Sequence, residues 1–290
     1  MGAEQRWLFA ASTLGVVDES LEATVAALQR HGVQAAELRS ADGAFVHPAL
    51  PHPERAAVRE MFDAAGIEVV AVASRVEIAA VGDDDEAVRS LVGELRLAAD
   101  LGASYVRVFP GAPALPVSSD RAPQLEEDAT VVDSRAVRRL LAVQEVAAEL
   151  QVRPVVETHD SHPRGADVAR ILRRLDADAP GHLVGAVWDV LHPWRVGESL
   201  DVTAEALLPY ITQGRGYVQI KDVASPADTV PVLQGQGTVP VPDFITILDD
   251  AAYRGPVSLE WERFWQPQVP PLDEALGAAA RALATQPPAA

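Results

Sequence analysis

Residues 153–160 read RPVVETHD, and the same kind of segment returns as LVGAVWDVLH (183–192), GYVQIKDV (216–223) and PVSLEWE (256–262). Each is a short, mainly β-branched apolar run that ends in acidic, amide or imidazole groups. Apolar residues on both faces are what a parallel strand buried between two layers requires. Polar groups gathered at the C-terminal end are what a barrel with its chemistry at that end requires. The stretches between them, 165–175, 203–213 and 242–255, carry the 3.6-residue apolar period of helices.

Towards the N-terminus the alternation continues. Strands are predicted at 7–13 (WLFAAST), 33–40 (VQAAELRS), 67–74 (IEVVAVAS) and 103–110 (ASYVRVFP), with helices at 18–31, 53–66, 83–102 and 134–150. Pro53 opens one helix and Gly66 closes it. The run Asp83–Asp84–Asp85 suits the positive end of a helix dipole, so it is read as a helix start and not as a metal site. A Pro- and Ser-rich loop spans 111–130. A last helix, DEALGAAARALA, leads into a tail expected to fray over 281–290. Eight strand–helix units without an evident linker predict a single (β/α)8 TIM barrel, one α/β domain over 1–290. A doubly wound open sheet would carry a glycine-rich dinucleotide turn after its first strand, and STLGVVDES does not match one.

The bulk numbers agree. The 290 residues, 48% apolar and 23% charged, suit one soluble α/β barrel. Cysteine is absent, which excludes disulfides, thiolate zinc sites and cysteine nucleophiles and fits a reducing, cytoplasmic location. The start MGAEQRWLFAASTLG lacks a secretory pattern. No stretch approaches the ~18 apolar residues of a membrane span. A net charge of −18 repels phosphate backbones and anionic membranes, so neither nucleic acid nor membrane is expected as a partner.

Strand alternation assigns the polar groups to faces. Val155, Glu157 and His159 share one face, as do Tyr217, Gln219 and Lys221, and Ser258, Glu260 and Glu262. Val218, Ile220, Val257, Leu259 and Trp261 lie opposite and are apolar, as residues packed on helices should be. The polar set therefore points into the barrel. Converging buried carboxylates need a shared countercharge. A divalent cation supplies one; Lys221 with Arg39 or Arg107 supplies part of another. For any single carboxylate a structural salt bridge is the alternative. Glu157, Asp189 and Glu260 together favour a metal. His192 and His159 are ligand-contact or loop residues, Glu37 and Arg39 line the far side of the pocket or pair with each other, and Arg195 and His162 are further pocket candidates. Trp188 and Trp261 read as packing; Trp194 and Trp265 fall near the mouth.

The segments VVETHDSHPRGADVARIL, VGAVWDVLHPWRVGES, YVQIKDV, LQGQGTVP and VSLEWERFW resemble the xylose isomerase-like TIM barrels, the sugar phosphate isomerase/epimerase family, and the likeness covers nearly the whole chain. The resemblance implies one divalent ion held by Glu157, Asp189, residue 219 and Glu260. The family's histidine at 219 is Gln219 here, which leaves an all-oxygen set. Such ligands favour Mn2+, then Mg2+, with Co2+ or Zn2+ behind.

The implied activity is a metal-dependent isomerase or epimerase of a sugar, keto-sugar or cyclitol. Glu157 and Glu260 serve as acid and base beside a carbonyl, through an enediolate, with Lys221 and His192 as further catalytic groups. The implied substrate contacts are His159, Glu37, Arg39, Arg107, Arg195, Trp194 and Glu262. A lyase sharing the first step, of keto-inositol dehydratase or 3-oxo-C-glycoside deglycosidase type, is the alternative. A non-catalytic partner subunit is encouraged only by Gln219. An endonuclease IV-like repair barrel is disfavoured by seven histidines and the acidic charge. No phosphate-gripping loop is evident apart from GQG (235–237), so a non-phosphorylated substrate is expected. Look-alikes suggest a homodimer or homotetramer.

Overall fold

The computed structural model describes residues 7–115 and 123–284. Eight parallel strands, β1 (Leu8–Ser12), β2 (Ala35–Arg39), β3 (Glu68–Glu77), β4 (Tyr105–Phe109), β5 (Arg153–Glu157), β6 (Gly185–Asp189), β7 (Tyr217–Ile220) and β8 (Pro256–Leu259), close into a barrel. Each strand pairs with its neighbours in sequence, and β1 closes the ring on β8 through Leu8–Pro256 to Ala11–Leu259. The (β/α)8 architecture expected from the alternation is the one observed.

Helices α1 (Leu21–Arg30), α2 (His52–Ala65), α3 (Asp84–Leu101), α4 (Ala129–Ala142), α5 (Gln144–Leu150), α6 (Gly165–Asp178), α7 (Leu191–Arg195), α8 (Leu200–Ile211), α9 (Val241–Asp250) and α10 (Leu272–Ala284) stand between and after the strands. The acidic run does open a helix: Asp83 caps α3 by accepting from Glu86 N, and Asp84 pairs with Arg138 and Arg139.

Several boundaries differ from expectation. The helix expected at 134–150 begins at Ala129 and is divided at Val143. Residues 281–284, grouped with the tail, form the last turn of α10; 285–290 lie outside the described residues. Within the loop at 111–130, Ala114–Leu115 pairs antiparallel with Gln124–Leu125.

Two apolar layers result. Ala10, Ala35, Val70, Ala71, Tyr105, Val155, Val187 and Tyr217 form the cluster inside the barrel. The larger cluster lies between barrel and helices and includes Val218, Ile220, Val257, Leu259 and Trp261. Alternation then fixes the next inward position on each strand. Two residues past Val155, Val187 and Tyr217 come Glu157, Asp189 and Gln219. Close packing at the N-terminal end of β6 requires Gly185, where a Cβ would lie 1.6 Å from the Arg215 carbonyl oxygen.

Glu94 is a buried acid outside this polar layer. Glu94 on α3 accepts from Ser40 Oγ at 3.1 Å, and its Oε2 has no hydrogen-bond partner. Burial, only partly offset by Ser40, pushes its carboxyl up to about 7. Its folded value exceeds its unfolded one, so stability is full at low pH and is lost as pH rises from about 4.5 to 7. Glu94→Gln should therefore match wild type at pH 5 and exceed it by roughly 2 kcal/mol at pH 8. Urea denaturation at both pH values checks this, and equal stability at pH 8 would refute it.

Candidate active site

The C-terminal ends of β5 to β8 bring four side chains to one centre. Glu157 and Asp189 are the last residues of their strands, Gln219 is the third of the four in β7, and Glu260 directly follows β8. All four are buried. Glu157, Asp189 and Glu260 each offer an oxygen, and these lie within 4.8 Å of one another.

Cations answer part of this charge. Lys221 Nζ lies 2.8 Å from Asp189 Oδ2 and 2.7 Å from Glu262 Oε1, and it also bonds Glu260. Arg107 Nε lies 3.1 Å from Glu157 Oε2, close enough for an ion pair though not aligned as a hydrogen bond. Gln219 Nε2 donates to Glu37 Oε1 at 2.9 Å and to Glu260 Oε1 at 3.3 Å. Glu37 accepts also from the Tyr217 hydroxyl at 3.0 Å and from Ser258 Oγ at 2.8 Å. Glu37 and Arg39 thus have separate surroundings, because the Arg39 guanidinium stacks on Phe264.

Burial sets the protonation pattern. It pushes Glu157 up to about 8 against the pull of Arg107, and Asp189 up to about 6 against Lys221. Glu37 rises to about 7 through burial and the charge of Glu260. Burial also acts to raise Glu260, but Lys221 and then Arg107 outweigh it, and that carboxyl is held low. Burial and then His159 hold the His192 ring well below its usual value, hence neutral.

His192 sits on the short helix α7 that follows β6 directly. His159 and His192 meet edge to face at 4.5 Å, and His159 also tilts against Phe109 at 4.4 Å. Asp160 Oδ2 lies 3.3 Å from His159 Nδ1. Asp160 holds a left-handed φ of 35°. Its carboxylate also accepts from Gly111 N and Ser161 N, tying the loops after β4 and β5 together.

Two adjoining cavities open at this end, of about 400 and 510 Å³, and His159, Asp160, Glu262 and Trp265 line both. Arg39, Arg107 and Glu260 line the first, and His192 and Arg195 the second. Trp194 packs half-buried against the apolar core and lines neither. His162 is fully buried, 3.1 Å from Asp133, and lies outside both cavities.

Arg75 and Phe109 on these walls are not singled out by the sequence pattern, and Asp160 and Trp265, which the pattern puts near the barrel mouth, are not assigned to the site. Arg75 had a usable signal: it continues the inward series Ala71, Ala73, but the strand was ended at Ser74 when it runs to Glu77. The GQG segment is also corrected. Asp222 Oδ2 accepts from Gly235 N and Gly237 N at 2.9 Å, and Oδ1 accepts from Val239 N at 3.2 Å. Those amides are committed within the fold and do not form a phosphate cradle. Gly237 is required there, since a Cβ would lie 2.2 Å from Asp222 Oδ1.

The donor set suits a divalent cation. Both Glu157 oxygens and Gln219 Oε1 are buried without a hydrogen-bond partner, Glu157 Oε2 facing only the misaligned Arg107, while Asp189 Oδ2 is met by the Lys221 ammonium. The Glu260 carboxylate, held ionised by Lys221, only accepts, so the Gln219 amide nitrogen faces it and Glu37, which leaves its oxygen for another partner. Glu157, His159 and His192 make a second, nitrogen-containing group within the same 4.8 Å limit.

The family description "xylose isomerase-like TIM barrel" matches residues 25–286. The chain belongs to this family. Solved structures of the same fold include the probable 3-DHS dehydratase AsbF of Bacillus anthracis, at 16% identity over 97% of this chain and 100% of that one, TM-score 0.73. The 3-keto-D-glucoside 4-epimerase YcjR of E. coli aligns at 15% identity over 96% and 99%, TM-score 0.73. The IOLI protein with a bound zinc atom aligns at 17% identity over 95% and 96%, TM-score 0.72. At these identities the likeness concerns the fold. No curated protein matches the chain significantly. No helix among the described residues is long and apolar enough to cross a membrane.

Proposed function

We propose that this xylose isomerase-like barrel is a divalent-metal-dependent isomerase or epimerase of a sugar, keto-sugar or cyclitol. The observation that carries the reading is the convergence of Glu157, Asp189 and Glu260 at the barrel mouth, three buried carboxylates within 4.8 Å of one another. Gln219 would complete the set through its free amide oxygen. A bound divalent ion would polarise a ketone oxygen and so acidify the neighbouring carbon.

The rest falls to the chain's own groups. Glu157 and Glu260 reach the centre from β5 and from the end of β8, with β6 and β7 between them. One takes the proton from the carbon beside the carbonyl and the other returns it. Lys221 holds the Glu260 carboxylate in place and offers its ammonium to developing negative charge on oxygen. Neutral His192, with His159, presents ring nitrogens to substrate hydroxyls. Trp265, over both cavities, supplies an apolar face for a ring. The same reading makes the chain one domain, active in the cytoplasm on a small carbohydrate-like molecule.

Manganese is the preferred ion, because an oxygen set gives borderline metals no nitrogen to bind. Gln219→His should raise the zinc-to-manganese affinity ratio at least about tenfold, roughly 1.4 kcal/mol. Competition titration reads this directly, and an unchanged ratio would remove Gln219 from the ligand set.

The activity is tested by incubating manganese-loaded protein with a panel of keto-sugars in deuterated water. Deuterium at the α-carbon without elimination product supports the isomerase or epimerase. An unsaturated product identifies a lyase with the same first step. If no divalent ion binds under any loading condition, the reading falls and a non-catalytic role takes its place.

A further inference from the structure

The mouth of the barrel carries charges of both signs, with Glu77 and Asp160 among the acids. Glu260 and Glu262 line the 400 Å³ cavity on one side, and Arg39, Arg75 and Arg107 line it too. Arg107 is matched by Glu157 at 3.1 Å. Arg39 and Arg75 are different. Among the described residues neither guanidinium has a side-chain hydrogen bond or an ion pair within 4.0 Å.

Both stand instead on aromatic rings. The Arg39 guanidinium carbon lies 3.9 Å from the Phe264 centroid and 5.8 Å from that of Trp265, and the Arg75 carbon lies 5.7 Å from the same Trp265 ring. Two like charges therefore flank one ring. Burial, then the charges of Arg75 and Arg107, hold Arg39 below its ordinary range. A guanidinium does not shed its proton to relieve such repulsion. Glu77 and Asp160 share the cavity but make no ion pair with either arginine. Glu77 feels the charge of Arg75 across the cavity but does not pair with it, so among the described residues the N–H groups of both guanidinium forks are left for an oxyanion.

We propose that Arg39 and Arg75 form an oxyanion subsite, which takes a carboxylate or phosphate group on the substrate at the end remote from the three-carboxylate centre. The proposal rests on the barrel mouth being the substrate site and narrows the substrate to an acidic sugar-like molecule. Guanidinium forks bind planar oxyanions through paired N–H groups. The aromatic stack holds both forks without using those N–H groups. Because Asp222 occupies the amides of the 235–239 loop, the arginine pair is the oxyanion-binding feature of this wall. A purely structural role, bracing Phe264 and Trp265 over the cavity, would need no anion.

The test titrates the full-length protein with malonate, inorganic phosphate and neutral malonamide at constant ionic strength, read by tryptophan fluorescence, since Trp265 lies between the two charges. The expected result is a saturable response to malonate, to phosphate or to both, none to malonamide, and at least a tenfold weaker response in Arg75→Gln. Arg75 is exposed, so this variant leaves the core intact; Arg39→Gln/Arg75→Gln should abolish the response. The tighter anion tells a carboxylate substrate from a phosphorylated one. No saturable anion response, or one that survives unchanged in both variants, overturns the proposal. Manganese binding measured on the same samples keeps the two readings apart. Metal binding without anion binding removes the subsite alone, and anion binding without metal removes the metal centre alone.

Discussion

Lys221→Met destabilises the metal-free protein by about 3–5 kcal/mol and leaves the manganese-loaded protein near wild type, because breaking a buried ion pair strands its partners. Lys221 is buried, and its ammonium serves Asp189, Glu260 and Glu262 together. Burial acts to discharge it, but these acids outweigh burial and hold its proton well above the usual lysine range, so the charge persists through neutral pH. In the variant the carboxylates keep their burial and lose this countercharge. Asp189, already raised by burial, then rises further and Glu260 loses the main charge that holds it low, so the penalty grows as pH increases and is smaller at pH 5 than at pH 8. A divalent ion replaces the missing charge. Guanidinium unfolding with and without manganese measures both halves. A variant as stable as wild type without metal would show that Asp189, Glu260 and Glu262 do not depend on the lysine's charge, and this account of the charge balance would fail.

The second large effect concerns proton transfer. Glu157→Gln keeps the size of the side chain and removes the group that accepts or returns a proton. Deuterium incorporation at the α-carbon should fall by ~10²–10⁴. Glu260→Gln should fall by a similar factor and should also release Lys221 from one of its partners. Glu262→Gln, whose carboxylate bonds Lys221 from the rim of the cavity, should lose less than about tenfold, because it supports the lysine and does not touch the transferred proton. Equal losses in all three variants would assign the acids to charge balance and not to proton transfer.

The barrel was legible because it rests on patterns that survive in one dimension. Alternation along β7 and β8 put Gln219 and Glu260 inside and Val218, Ile220, Val257 and Leu259 outside, and the two apolar clusters separate along the same line. Glu157 was legible for the same reason, since a carboxylate two residues past an inward valine has one direction to point, whereas Asp189 was supplied by the family resemblance. Distances between strands were not legible. That Lys221 spans three acids, and that the Gln219 amide bridges Glu37 and Glu260, depends on stagger between strands, which a local pattern does not encode.

Loops failed for a related reason. Trp194 and Trp265 look equivalent in sequence, yet α7 turns Trp194 onto the core while the turn after β8 carries Trp265 over the cavities. The division of the 129–150 helical stretch at Val143 has no proline or glycine beside it to announce it. GQG resembles a phosphate turn until Asp222, a dozen residues upstream, is seen to occupy its amides.

The most direct test of the metal centre is anomalous diffraction from a crystal equilibrated with millimolar manganese. The expected result is one strong peak at the end of β5 to β8, with oxygens of Glu157, Asp189, Glu260 and the Gln219 amide about 2.0–2.4 Å from it. The contradicting result is no peak at this position, with Lys221 still seated on Asp189, Glu260 and Glu262.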